Sequence, residues 1–290
     1  MSTPAVSPVP IPADPFARSV WPRVALAALV AYVIYACAQM EISWERVLVG
    51  MDNAGRFFSR LFPPNFSRWD LLVKGLLESL EIAVLASTLG IVLALPIGLA
   101  AARNLMPPWV SWPARAVIVM ARSFHPVIVA ILFVKAVGFG ALAGILALTV
   151  ASIGFIGKLF TEAIEEISAK QVEGVRATGA PFFSVLAFGV MPQVFSRFIG
   201  FATYQLYSNL RNSTMVGIVG AGGIGGTLFA AFQRFDYDFV CAILISIITL
   251  IMIGEVLATA VRAIFIDNAT LRDLFRRRGA VSHERVLDDD

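Results

Sequence analysis

Residues 82–102 run without a single ionisable side chain, and about 20 apolar residues is the length at which an α-helix crosses the hydrocarbon core of a bilayer. That run sits in the stretch 73–102, one of six of comparable length. The others cover 20–40, 113–137, 141–166, 192–216 and 237–266. Composition agrees. Hydrophobic residues make up 58% of the 290 positions, charged residues 15%, and mean hydropathy is +0.79, whereas soluble domains carry roughly a quarter charged residues. The excess apolar surface must face lipid or other spanning helices, so the sequence predicts an all-α, polytopic membrane helical bundle of about six transmembrane helices.

Four segments follow. Residues 1–19, with Pro4, Pro8, Pro10, Pro12 and Pro15, read as a disordered leader. Residues 20–72 hold the first span and an external loop in which Trp44 and Trp69 flank balanced charges, as expected of a partly helical interfacial segment. Residues 73–266 form the core, with a polar cytoplasmic loop at 167–192, and 267–290 form a tail. The first apolar run is long enough to span and reads as an anchor, not a cleaved signal. Arg18 and Arg23 before and in the first span, and Arg276-Arg277-Arg278 after the last, place both termini in the cytoplasm by the positive-inside tendency.

Several function classes are disfavoured. The net charge is only +3, with Lys confined to 74, 135, 158 and 170, and the one basic run flanks a span, so nucleic-acid binding is a poor reading. Cys37 and Cys241 lie in apolar runs outside any ligand spacing, so no metal or other cofactor is expected. The string Gly220-Ala221-Gly222-Gly223-Ile224-Gly225 spells G-x-G-x-x-G, but a dinucleotide fingerprint needs a strand before it and a helix after it in a soluble sheet. Dense glycine between spans reads instead as close helix approach or irregular backbone. No G-x4-G-K-[ST] string occurs, so the chain has no P-loop of its own. A membrane-embedded enzyme would need a catalytic pair or ligand set at membrane depth, and His125 is the only intramembrane histidine.

The loop at 167–192 is the most informative segment. Ser168 and Gln171 match a capping box that would open a short helix, Gly179-Ala180-Pro181 would end it, and Met191-Pro192 marks a further break before the fifth span. The run Glu173-Gly174-Val175-x-x-x-Gly179, with Gly189-Val190-Met191-Pro192 after nine residues, resembles the EAA loop of ABC importer permeases, E-A-A-x3-G-x9-I-x-L-P. Glu173, Gly179 and Pro192 match, whereas Gly174, Val175, Gly189 and Met191 depart from the pattern. The resemblance implies a coupling helix seated in a cleft of an ATPase subunit. Glu173 and Arg176 would offer charged contacts there, and Val172 and Val175 an apolar ridge.

A second resemblance covers roughly 73–266. Leu95-Pro96-Ile97-Gly98-Leu99-Ala100-Ala101-Ala102-Arg103-Asn104, Gly157-Lys158-Leu159-Phe160-x-Glu162-Ala163-Ile164-Glu165, Arg197-Phe198-Ile199-Gly200-Phe201, Asn209-Leu210-Arg211-Asn212-Ser213-Thr214 and the glycine run from Gly217 are similar to permease subunits of phosphonate ABC importers. The glycine run also resembles methionine-type permeases, so a type I, methionine-permease-like core is implied, and a methionine or other small-solute importer stays open. The implied partners are two ATPase subunits, a second permease copy and an external phosphonate-binding protein, in a bacterial plasma membrane.

Arg211 is the leading pathway candidate, because a guanidinium within a span needs a partner or a wet cavity. Asn209, Asn212, Ser213 and Thr214 surround it in sequence and would give an anion hydrogen-bond donors. Pairing of Arg211 with a carboxylate, Glu255 among others, or with freed carbonyls is the competing account. Met215 matches a constricting position in methionine permeases, with simple packing as its alternative. Arg122 and His125 either line the route or, for His125 beside Pro126, satisfy freed carbonyls.

Overall fold

The computed structural model describes residues 20–40 and 43–263. The expected leader and the whole of the tail lie outside these residues. The chain divides into two compact units, one ending at Ser59 and the other starting at Arg60. In the first unit, α1 (Trp21–Gln39) is apolar and buries no residue. The helix α2 (Trp44–Leu61) is amphipathic: Trp44, Val47, Leu48, Met51 and Phe58 recur at three- and four-residue spacing against Glu45, Asp52 and Arg56.

The second unit is built on α3 (Trp69–Ala101) and α6 (Ala141–Glu165), which pack along their lengths. Small residues permit this approach. A Cβ added at Gly90 would stand 2.2 Å from Ser152 Cβ, and one at Gly144 2.4 Å from the Ala221 carbonyl oxygen. Around the pair lie α4 (Pro108–Ser123), α5 (Pro126–Val137), α9 (Met191–Ile218), α10 (Ile224–Gln233) and α11 (Tyr237–Arg262). Ile82, Ala86, Ala147, Leu148 and Val216 close one end of the core, and Phe160, Ile164, Val190 and Val194 the other. Among the described residues five helices are long and apolar enough to cross a membrane, or six if the bent pair α4 and α5 counts as one span. The chain is therefore a multi-pass, all-helical membrane protein.

Three expectations need correction, and one helix goes beyond them. The third span is not one helix: α4 and α5 meet at 92°. Pro126 supplies the cause, since its ring drives the preceding residue out of the α region, and Phe124 and His125 are extended with ψ of 137° and 139°. His125 does not serve freed carbonyls there. Its Nδ1 accepts the Val127 amide at 3.4 Å and so caps α5. The break expected at Met191-Pro192 is a wide turn, because α8 (Phe182–Ser184), a π-helical segment (Val185–Val190) and α9 run on as one span. Pro192 lacks an N–H and crowds the carbonyl a turn before it, which a π turn relieves. Finally, the glycine run is followed by the separate helix α10, which Ser79 starts by accepting the Ile224 amide at 2.9 Å.

Candidate functional site

The loop between α6 and α9 is held at both legs. Its helix α7 (Ala169–Ala177) follows Ser168, but the capping box does not form: the Ser168 hydroxyl makes no cap bond. The Ser168 amide donates to Gln193 Oε1 at 3.0 Å, and Gln193 Nε2 donates to the Gly189 carbonyl at 2.6 Å. One side chain of α9 thus ties the start of the loop to its return. A second tie pairs Arg197 with Glu166 at 2.7 Å. Gln193 carried no signal in the sequence, since glutamine has no preferred position one residue after a proline.

Gly179 ends α7 at φ +75°, with its amide on the Arg176 carbonyl at 3.0 Å, a left-handed conformation that glycine adopts freely. The apolar ridge expected of Val172 and Val175 is turned the other way. Val172 is 5% exposed and Val175 half-buried, both in the cluster with Val185 and Val190. Gly189 makes the seat, because a Cβ there would already touch Val172 Cα at 3.5 Å. The outward face of α7 consists of Lys170, Gln171, Glu173, Gly174 and Arg176.

The residues expected around Arg211 do not form one patch. Asn209 is 0% exposed and donates through Nδ2 to Ser87 Oγ at 2.9 Å and Ser152 Oγ at 2.8 Å, while its Oδ1 accepts from Gln205 at 3.0 Å. This network joins α3, α6 and α9 in the buried core. Ser213 is also buried, and its hydroxyl donates to the Leu210 carbonyl at 2.8 Å. The Thr214 carbonyl faces Gly225, where a Cβ would come within 1.9 Å. Arg211 points elsewhere, onto the hydroxyl and ring of Tyr207, whose hydroxyl donates to Glu255 Oε2 at 3.4 Å. Its link to Glu255 therefore passes through Tyr207. Arg211 and Met215 are exposed, and Asn212 lines a cleft of about 210 Å³ with Arg122, Phe155, Gln205 and Ser208.

Arg122 also lines a larger cavity. About 540 Å³ in volume, it opens between α4, α6 and the end of α3, and its wall includes Arg103, Arg115, Arg122 and Lys158. Arg115 pairs with Glu165 at 2.5 Å and Lys158 with Glu162 at 2.6 Å. Glu165 also accepts the Arg103 amide at 2.8 Å, and Asn104 Nδ2 donates to the Ile164 carbonyl at 2.7 Å. The two sequence runs ending at Asn104 and Glu165 thus dock on each other. Among the described residues no group of three or more His, Cys, Asp or Glu is placed to hold a metal ion.

These features, a helical membrane core with a doubly tied loop before its penultimate long span, define a transport permease. Residues 94–266 match the family described as binding-protein-dependent transport system inner membrane component, and the chain belongs to that family. It is 35% identical over 248 residues to the phosphite transport system permease protein PtxC of Stutzerimonas stutzeri, covering 84% of this chain and 90% of that one. It is 39% identical over 208 residues to the phosphate-import permease protein PhnE of Mycolicibacterium smegmatis, covering 71% of this chain but only 39% of that longer relative. In fold it is similar to the MetNI methionine ABC transporter in its inward-facing conformation. That match has a TM-score of 0.55 at 25% identity and covers 68% of this chain and 99% of the other.

Proposed function

We propose that this chain is the membrane-spanning permease subunit of an ABC importer for phosphorus oxyanions (phosphonate, phosphite or phosphate), driven by a separate ATPase that engages α7. The doubly tied loop carries the reading. A short helix fixed at both legs by Gln193 and by the Glu166–Arg197 pair passes on a displacement as a rigid body, where a loose loop would absorb it. Its outward charges, Glu173 and Arg176, are left for the ATPase surface, while Val172 and Val175 anchor the lever to its own bundle. A second permease copy, a second ATPase subunit and an external binding protein complete the assembly, with both termini on the ATPase side.

The cargo route follows the face that presents Arg211, Met215, Asn212 and Arg122. Thr214 belongs to its margin, and Asn209 and Ser213 hold the helices that form it. Exposed guanidinium groups suit a mobile anion, which must be attracted and released in turn. They suit a zwitterion such as methionine less well, which favours the phosphorus oxyanions named for the relatives in Stutzerimonas stutzeri and Mycolicibacterium smegmatis.

Uptake of labelled methylphosphonate and phosphate by cells relying on this permease tests the reading. The double variant Glu173→Ala, Gly179→Pro should insert normally yet abolish uptake and stimulation of the cognate ATPase, because proline cannot adopt φ +75°. Arg211→Ala should lower oxyanion uptake at least tenfold. Undiminished uptake in the double variant would overturn the coupling assignment, and unchanged uptake in Arg211→Ala would remove that residue from the route.

A further inference from the structure

We infer that the cavity between α4, α6 and the end of α3 is a second anion site, built to hold a phosphate-type group at the loop end of the bundle. The charge balance is the first argument. Of its four cationic side chains, Arg115 and Lys158 are answered by Glu165 and Glu162, while Arg103 and Arg122 have no carboxylate within ion-pair distance among the described residues. The cavity keeps a surplus of two positive charges, which matches a doubly ionised phosphate or phosphonate.

Depth is the second argument. Arg122 lies fourteen residues along α4 from Pro108, roughly 20 Å at the α-helical rise. It stands in the last turn of α4, at the 92° bend into α5, where a guanidinium facing hydrocarbon would cost several kcal/mol. Its position is fixed by packing: Gly154 lets α4 approach so closely that an added Cβ would stand 2.7 Å from Arg122 Cγ. Bonding capacity is the third argument. The Thr161 and Ser123 hydroxyls already donate to the carbonyls of Gly98 and Val119. The guanidinium groups of Arg103 and Arg122 and the Lys158 ammonium therefore supply the donors, and such ionic donors bind phosphate most strongly. Arg103 is further oriented by the Trp112 ring, 5.7 Å from its guanidinium carbon.

A phosphate-type group reaches this place from two sources, as released cargo or as the headgroup of an anionic lipid. Only the cargo source rests on the function proposed above. The full chain, in nanodiscs of phosphatidylcholine, is titrated with inorganic phosphate and with methylphosphonate by equilibrium dialysis. In parallel, lipid retained by chain extracted from phosphatidylglycerol-containing membranes is quantified. The variant Arg103→Gln, Lys158→Gln leaves the Arg115–Glu165 tie intact and spares Arg122 of the cargo route, and Arg103→Lys, Lys158→Arg keeps the charge. The neutral pair should weaken binding of the free oxyanion or retention of phosphatidylglycerol at least tenfold, and the charge-keeping pair should restore most of it.

Loss confined to the oxyanion assigns the site to cargo, and loss confined to phosphatidylglycerol assigns it to lipid and leaves the transport reading untouched. The inference is overturned if neither ligand responds to the neutral pair, or if the charge-keeping pair loses binding as completely.

Discussion

The core is fastened at both ends, and the two fastenings differ in what they leave over. Away from the loop, Arg68 meets Asp236 at 3.0 Å and lies over the Phe239 ring at 4.0 Å. Neutral Asn65 answers Asp238 at 3.0 Å. Glycine packing completes that joint: Gly220, Gly222 and Gly223 all have positive φ against α3, α6 and the turn at Phe139. At the loop end, Arg115, Lys158 and Arg197 take Glu165, Glu162 and Glu166, and Arg103 and Arg122 remain over. What sets the loop end apart is that its two leftover arginines line one cavity together with Arg115 and Lys158.

That contrast can be broken at either end. Gly225→Ala should have the largest effect, because its Cβ would meet the Thr214 carbonyl oxygen at 1.9 Å and force α9 and α10 apart. A loss of about 2–3 kcal/mol, read as a lower melting temperature in detergent, is the expected overpacking cost. Glu165→Gln should follow, at on the order of 1–2 kcal/mol, since it strips Arg115 of a half-buried partner. It should also increase oxyanion binding in the adjacent cavity, which a purely structural role would not do. Gln193→Ala should leave the melting temperature within a degree or two and yet at least halve ATPase stimulation, because it frees one leg of α7. Smallest is Arg68→Ala: a pair over a third exposed contributes under about 1 kcal/mol, and uptake should persist. A loss of uptake there as large as in Gln193→Ala would erase the distinction between the ends.

The spans were legible because apolar length reports a lipid-sized environment directly, and α3, α6 and α11 start within a few residues of where the runs begin. Continuity was less legible. Apolar residues flank the Phe124-His125-Pro126 bend on both sides, so hydropathy passes smoothly over a 92° turn that only the proline announces. The short helix of the loop at 167–192 and its end at Gly179 were legible, but not which way Val172 faces, since nine residues of α7 carry too few apolar positions to show a side. Around Arg211, neighbours in sequence are not neighbours in space. Residues 209 and 211 are about 200° apart on a helix, so Asn209 enters the core while Arg211 leaves it. The cavity of Arg103, Arg115, Arg122 and Lys158 is not legible in the sequence, because separate segments contribute to it and no local pattern joins them.

The wide turn at Val185–Val190 has a consequence for how this chain tolerates change. In a regular helix one residue gained or lost rotates everything beyond it by about 100°, and here that would swing Arg211 out of its phase relative to α7. A π segment already holds one residue of slack. A single deletion within it should tighten the coil to an ordinary helix and leave the bearing of the downstream face nearly unchanged, whereas the same deletion a turn past Pro192 should turn Arg211 away from its bearing relative to α7.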